Sequence, residues 1–145
     1  MSPLYTAHLM EPGTFSSAGH RNALPEDVVT QLAPFVDAGA LRALRVRRGV
    51  PWKWVPGVFR ASATTLGRHV LFRDGAYRTG DPRGLALIAH EAVHVRQYRD
   101  LGWIRFLLRY IVGAIRSGFR HHAHELEQEP LRVQAAVRRA LESSR

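Results

Sequence analysis

Residues 90–94 read His-Glu-Ala-Val-His. On an α-helix, side chains four apart stand on one face, separated by about 6 Å along the axis. The imidazoles of His90 and His94, so placed, can converge on one zinc ion at about 2.0–2.1 Å. Glu91, one position on from the first histidine, can reach a water on that metal without being a ligand. The chemistry this spacing offers is metal-assisted hydrolysis. The metal polarises a water and an acyl carbonyl, and the carboxylate takes the water's proton. Leu87-Ile88-Ala89 precede the motif and Val95 follows it. Burying three titratable groups in such an apolar run is costly without a purpose of this kind. The expectation is one Zn2+ per chain.

A catalytic zinc ordinarily keeps three protein ligands, so a third must lie elsewhere. Asp100 is six residues past His94. A helix that runs on carries it about 9 Å further along the axis and onto another face. A chain turning back to the metal would need glycine at position 97, which is Gln97. The richer source is downstream, where His121-His122-Ala123-His124-Glu125-Leu126-Glu127-Gln128-Glu129 holds three histidines and three glutamates in nine residues. Glu127 is 33 residues past His94, a separation that a helical hairpin closes. The competing reading of this segment is a solvated acidic first turn of a helix. Periodicity alone leaves both open. Tyr98 and Tyr110 could hold an oxyanion, although a core ring with its hydroxyl at the edge is the commoner use of tyrosine. The histidines at 121, 122 and 124 could do the same or orient a ligand; adjacent histidines are also often simply solvated. Gln97 reads as a packing or hydrogen-bonding residue of the helix.

These groups need elements to position them. Asp81-Pro82 is a strong helix start, with Asp as cap and Pro at the first helical position. Leu85, Ile88, Ala89, Ala92, Val93 and Tyr98 then keep helical spacing, and Gly102 follows as a cap, which predicts a helix over 82–101. A second helix over 103–117 is apolar nearly all round, with Arg105, Arg109 and Arg116 in one stripe. A buried core helix with its arginines at the wet edge is the expectation, against a rival in which it lies on a membrane surface. A third helix over 125–141 carries Leu126, Val133, Val137 and Leu141 on one face and is interrupted by Pro130. Upstream, a helix over 25–36 begins at Pro25 and is ended or kinked by Pro34. Short strands are expected over 44–48, 59–65 and 69–73, separated by Gly67 and closed by a turn at Asp74-Gly75. The strand over 69–73 is expected at the sheet edge beside the cleft, where extended substrate could pair with it. Residues 51–57 form a proline-bracketed aromatic loop whose Trp52 and Trp54 cap the core or line an apolar subsite. Residues 1–24, rich in Ser, Gly and Pro and without a period, read as a flexible arm, and 25–145 as one domain. The fold class expected is α+β: a small twisted sheet of about three strands followed by three helices, with the motif on the first of them.

Composition bounds the rest. The chain has 145 residues, enough for one domain with a core of its own. Apolar residues make up 46% and charged residues 23%, which excludes wholesale disorder. Cysteine is absent, excluding disulfide scaffolds, thiolate zinc sites, iron–sulfur clusters and cysteine nucleophiles. The net charge is +9, with Lys53 the one lysine, so attraction to nucleic acid or to an anionic membrane stays open. No reading motif for nucleic acid accompanies the charge, and no specific nucleic-acid partner is expected. Neither a signal peptide nor a run of 18 apolar residues is visible. A cytoplasmic location is therefore the default, with export by a dedicated secretion or injection system as the other route.

Residues 88–98 (Ile-Ala-His-Glu-Ala-Val-His-Val-Arg-Gln-Tyr), Leu101-Gly102, the aromatic helix after them and Glu127-x-Glu129 resemble a known family. It is the small bacterial zincin-like domain that is also the core domain of extracellular contractile injection systems. More broadly the pattern is similar to gluzincin metallopeptidases, in which a glutamate on a later helix is the third zinc ligand. The resemblance spans about residues 64 to 140. Glu127 matches the glutamate of the family's E-x-x-A signature, and Pro130 stands where alanine is usual. The resemblance thus implies zinc held by His90, His94 and Glu127, with Glu91 as general base of a peptidase acting on peptide or protein substrates. Periodicity agrees in ranking Glu127 above Glu125 and Glu129. Helical neighbours two apart diverge by about 200°, and Glu127 flanks the apolar stripe that begins at Leu126. The rival class is a zinc-binding structural or interaction module of a secretion or injection system that no longer turns over. Glu91 speaks against it, since a purely structural site has no use for that carboxylate.

Overall fold

The structure, a computed structural model, describes residues 22–48, 62–118 and 124–144. Trp52 and Trp54 of the expected aromatic loop, residues 1–21 of the expected arm, and His121 and His122 lie outside the described residues. In chain order the elements are α1 (Glu26–Leu32), α2 (Ala38–Ala43), β1 (Arg45–Arg47), β2 (Ala63–Leu66), β3 (His69–Phe72), α3 (Pro82–Leu101), α4 (Trp103–Arg116) and α5 (Glu125–Ser143). The class is α+β with one three-stranded mixed sheet, and two short helices precede that sheet.

Pro25 is the cap of α1, which buries Val28, Val29 and Leu32 and ends before Pro34. α2 is absent from the sequence reading because six residues are too few to show a period. Its one local signal is Asp37, whose carboxylate accepts a hydrogen bond from the Ala40 N–H at 2.8 Å. Residues 22–24, assigned to the arm, are docked. Asn22 accepts from the Val46 N–H at 2.7 Å, Ala23 bridges to Arg45 and Leu24 is buried.

The strand order is β1-β3-β2, with β3 parallel to β1 and antiparallel to β2. This corrects the expectation that the strand over 69–73 is an edge. β2 and β3 form a hairpin across Gly67, but β1 then adds to β3 in parallel, and parallel pairing leaves no turn signature in the sequence. The edge strand that packs on α3 is β2. Strand alternation turns Val46, Val70 and Thr65 inward as one cross-strand row, with Ala63 opposite Phe72 beside it.

α3 follows its sequence signals closely. Asp81 accepts from the Gly84 N–H at 2.8 Å, and Gly102 closes the helix at φ 76°, a conformation glycine adopts without a Cβ clash. The helix is buried on most of its circumference from Gly84 to Tyr98 because α5, β2, α2 and α4 pack around it. α5 runs through Pro130 without a break, which corrects the expected interruption.

α4 corrects a further expectation. It is not a core helix: Phe106 is its one buried residue, while Ile104 is 74% and Ile115 63% exposed. One narrow face, carrying Phe106, Tyr110 and Gly113, is used against Tyr98 and His124. Apolar content predicted burial, but among the described residues α3 and α5 are the elements that approach this helix closely. Among the described residues no helix is long and apolar enough to cross a membrane.

Candidate metal centre

α3 turns His90, Glu91 and His94 inward, and all three are buried. α5 returns alongside α3 and brings Glu127, 2% exposed, to the same place. One carboxylate oxygen of Glu127 lies 3.2 Å from His90 Nε2 and the other 3.3 Å from His94 Nε2. The candidate ligand atoms of His90, His94 and Glu127 all fall within 4.8 Å of one another. Two imidazoles and one carboxylate form a nitrogen–oxygen donor set that suits zinc and other divalent transition metals. The electrostatics favour positive charge here. Burial works to lower the basicity of His94, but the hydrogen bond it donates to Glu127 and the charges of Glu91 and Glu127 outweigh this and raise it. The residues present therefore fit a divalent cation.

Glu91 stands on the same helix but outside the three-residue cluster. Thr65, on β2, donates from Oγ1 to its Oε2 at 2.7 Å. The edge strand thus grips this buried carboxylate. Sequence reasoning missed Thr65. Its only signal is its place in the alternation of the strand, two residues after Ala63 on the inward face.

Gln97 takes the hydrogen-bonding role of the two that the sequence allowed. Its Oε1 lies 2.9 Å from His94 Nδ1, and its Nε2 donates to the Leu126 carbonyl at 3.1 Å. The remaining candidates have other partners. His124 caps α5: its Nδ1 accepts from the Leu126 N–H at 3.1 Å, and its Nε2 lies 2.7 Å from the Tyr110 carbonyl. A carbonyl only accepts, so Nε2 is the donor there and both ring nitrogens are used. Glu129 pairs with Arg96, and Asp100 pairs with Arg99 at 3.2 Å on the surface. Glu125 is exposed in the first turn of α5. Tyr98 stacks on Phe106 at 3.7 Å, and burial pushes its hydroxyl up to about 12. Tyr110 stacks on His124 at 4.6 Å; burial, then the charges of Glu127 and Glu91, raise its hydroxyl too. Both phenols stay protonated at neutral pH.

A family model described as the eCIS core domain matches residues 23–102. It takes in α1 through α3, with His90, Glu91, His94 and Thr65, and ends before α4 and Glu127. No curated protein and no solved structure matches the chain.

Proposed function

The chain belongs to the eCIS core domain family, and from that premise we propose that it is a zinc-dependent metallopeptidase within an injection-system setting. His90, His94 and Glu127 hold one Zn2+, and Glu91 is the general base. The observation that carries this reading is the division of labour on α3. Two imidazoles meet the Glu127 carboxylate, while a fourth buried group, Glu91, is held apart by Thr65.

Zinc bound at such a site supplies Lewis acidity toward a water and a substrate carbonyl. Glu91 accepts the water's proton on its carboxylate and returns it to the departing amine, so no covalent enzyme intermediate is required. Thr65 holds one Glu91 oxygen, and the other is the one that would take the water's proton. β2 lies at the sheet edge beside α3, where an extended peptide can align by backbone hydrogen bonds.

The test joins elemental analysis of the full chain, prepared without chelator, to hydrolysis of casein by wild type and Glu91→Gln. The expected result is about one zinc per chain in both proteins, with cleavage at least about a hundredfold slower in the variant. Protein that takes up no transition metal overturns the reading. Zinc without cleavage in wild type leaves a structural or interaction module in its place.

A further inference from the structure

We propose that Pro130 and Gln97 form a relay that fixes the tautomer and aim of His94. This rests on the reading of His94 as a metal ligand. In an α-helix the N–H of residue 130 bonds to the carbonyl of residue 126. Pro130 has no N–H, yet α5 is continuous through it and the ring is fully buried. The Leu126 carbonyl, without its helical donor, accepts from Gln97 Nε2 instead.

That bond decides the rest. A carbonyl oxygen can only accept, so the amide nitrogen of Gln97 must face Leu126 and Oε1 must face His94. An amide oxygen also only accepts, so His94 Nδ1 must donate to it. When a metal takes the place of the Nε2 proton shared with Glu127, the neutral ring has its lone pair on Nε2. A proline in the interior of a helix is ordinarily a misfit. Here the donor it removes from α5 leaves an acceptor that sets the amide, and the amide sets a ligand on α3. Gln97 and Pro130 are positioning residues and touch neither metal nor substrate.

The experiment measures zinc affinity of the full chain by chelator competition in wild type, Gln97→Met, Pro130→Ala and the double variant. Gln97→Met is expected to lose about 10–100-fold, the usual consequence of removing the partner that orients a metal-bound histidine. Pro130→Ala restores the N–H that competes for Leu126, and affinity falls in the same direction. If Pro130 acts through Gln97, the double variant loses no more than Gln97→Met alone. Unchanged affinity in either single variant, or losses that add in the double, overturn the relay. A second measurement needs no variant: the imidazole nitrogen-15 spectrum of zinc-loaded wild type. It should show His94 protonated at Nδ1 and metal-bound through Nε2, and the opposite tautomer overturns the relay. A wild type that takes up no zinc brings down the metal reading itself. A zinc-binding wild type whose variants are indifferent removes the relay alone.

Discussion

Glu127 and Thr65 are the two residues that turn an isolated motif into a site, and each reaches it from a different element. Each oxygen of Glu127 lies within 3.3 Å of an imidazole nitrogen, whereas Glu125 is exposed and Glu129 is committed to Arg96. Glu127→Gln is expected to weaken zinc binding by at least about tenfold. Glu125→Gln and Glu129→Gln should leave it nearly unchanged in the same chelator competition. A larger loss at either neighbour would move the third ligand. Thr65→Val keeps the shape of the side chain and removes the donor to Glu91. A hydrogen bond to a charged group contributes about 1.5–3 kcal/mol. Casein hydrolysis should fall by about tenfold or more while zinc content stays at the wild-type level. A parallel loss of zinc would show that Thr65 supports the ligands rather than the base.

At the scale of elements, the site depends on how α4 and α5 meet and how α3 is tied at its far end. A Cβ on Gly113 would lie 2.7 Å from the His124 ring. That ring cannot move away cheaply, since one nitrogen caps α5 and the other is bonded to Tyr110. An unhindered helical Gly→Ala change stabilises by about 1 kcal/mol. Gly113→Ala should instead destabilise by about 1–3 kcal/mol, the cost of overpacking. Thermal denaturation decides the sign, and a raised melting temperature would mean that α4 can shift freely. At the other end, Asp37 caps α2 and pairs with Arg99 of α3 at 2.9 Å. The Arg99 hydrogen bond, then that from the Ala40 N–H, hold its carboxyl below the ordinary aspartate value. A folded-state value lower than the unfolded one gives stability that is complete above the ordinary range and is lost as pH falls through the lowered value. Asp37→Ala should cost about 1 kcal/mol at neutral pH. Its melting curve should converge on that of wild type in acid, and a gap that persists there would show that the side chain acts by packing.

For the whole molecule, the balance of buried and exposed apolar surface is uneven. α3 is enclosed on most sides, while α4 turns Trp103, Ile104, Leu108, Ile111, Val112 and Ile115 outward. Ile104→Ser and Ile115→Ser should each change stability by less than about 0.5 kcal/mol, as exposed positions do. Phe106→Ala, which removes the ring packed on Tyr98 and turned toward His94, should cost about 3–5 kcal/mol. Equilibrium urea unfolding separates the two outcomes; equal costs at Ile104 and Phe106 would show that the outer face of α4 is covered. The centre itself straddles the boundary of the matched segment. Its two histidines lie within residues 23–102 and its glutamate beyond them. A protein cut after residue 102 would keep the HExxH helix and lose its third donor.

The sequence alone determined what is written within a few residues of chain. Asp81-Pro82 and Gly102 delimit α3 at 82–101, because capping and backbone conformation are local. The spacing of His90, Glu91 and His94 on that helix follows from its pitch. The hairpin of β2 and β3 is legible for the same reason, since its turn at Gly67 is local. The sequence pattern ranked Glu127 first among the three glutamates, but whether α5 comes back against α3 depends on which faces find partners in space, and that only the tertiary structure decides. The place of β3 between two neighbours depends on a parallel pairing that no turn announces. The exposure of α4 has the same origin: apolar residues record the capacity to be buried, and burial requires another element on that side. Pro130 shows the two levels together. The missing N–H is a property of the residue, but the donor that takes the Leu126 carbonyl stands on another helix, 29 residues earlier in the chain. Local rules reach about one turn along the backbone; the identity of a partner across the fold is settled only when the chain packs.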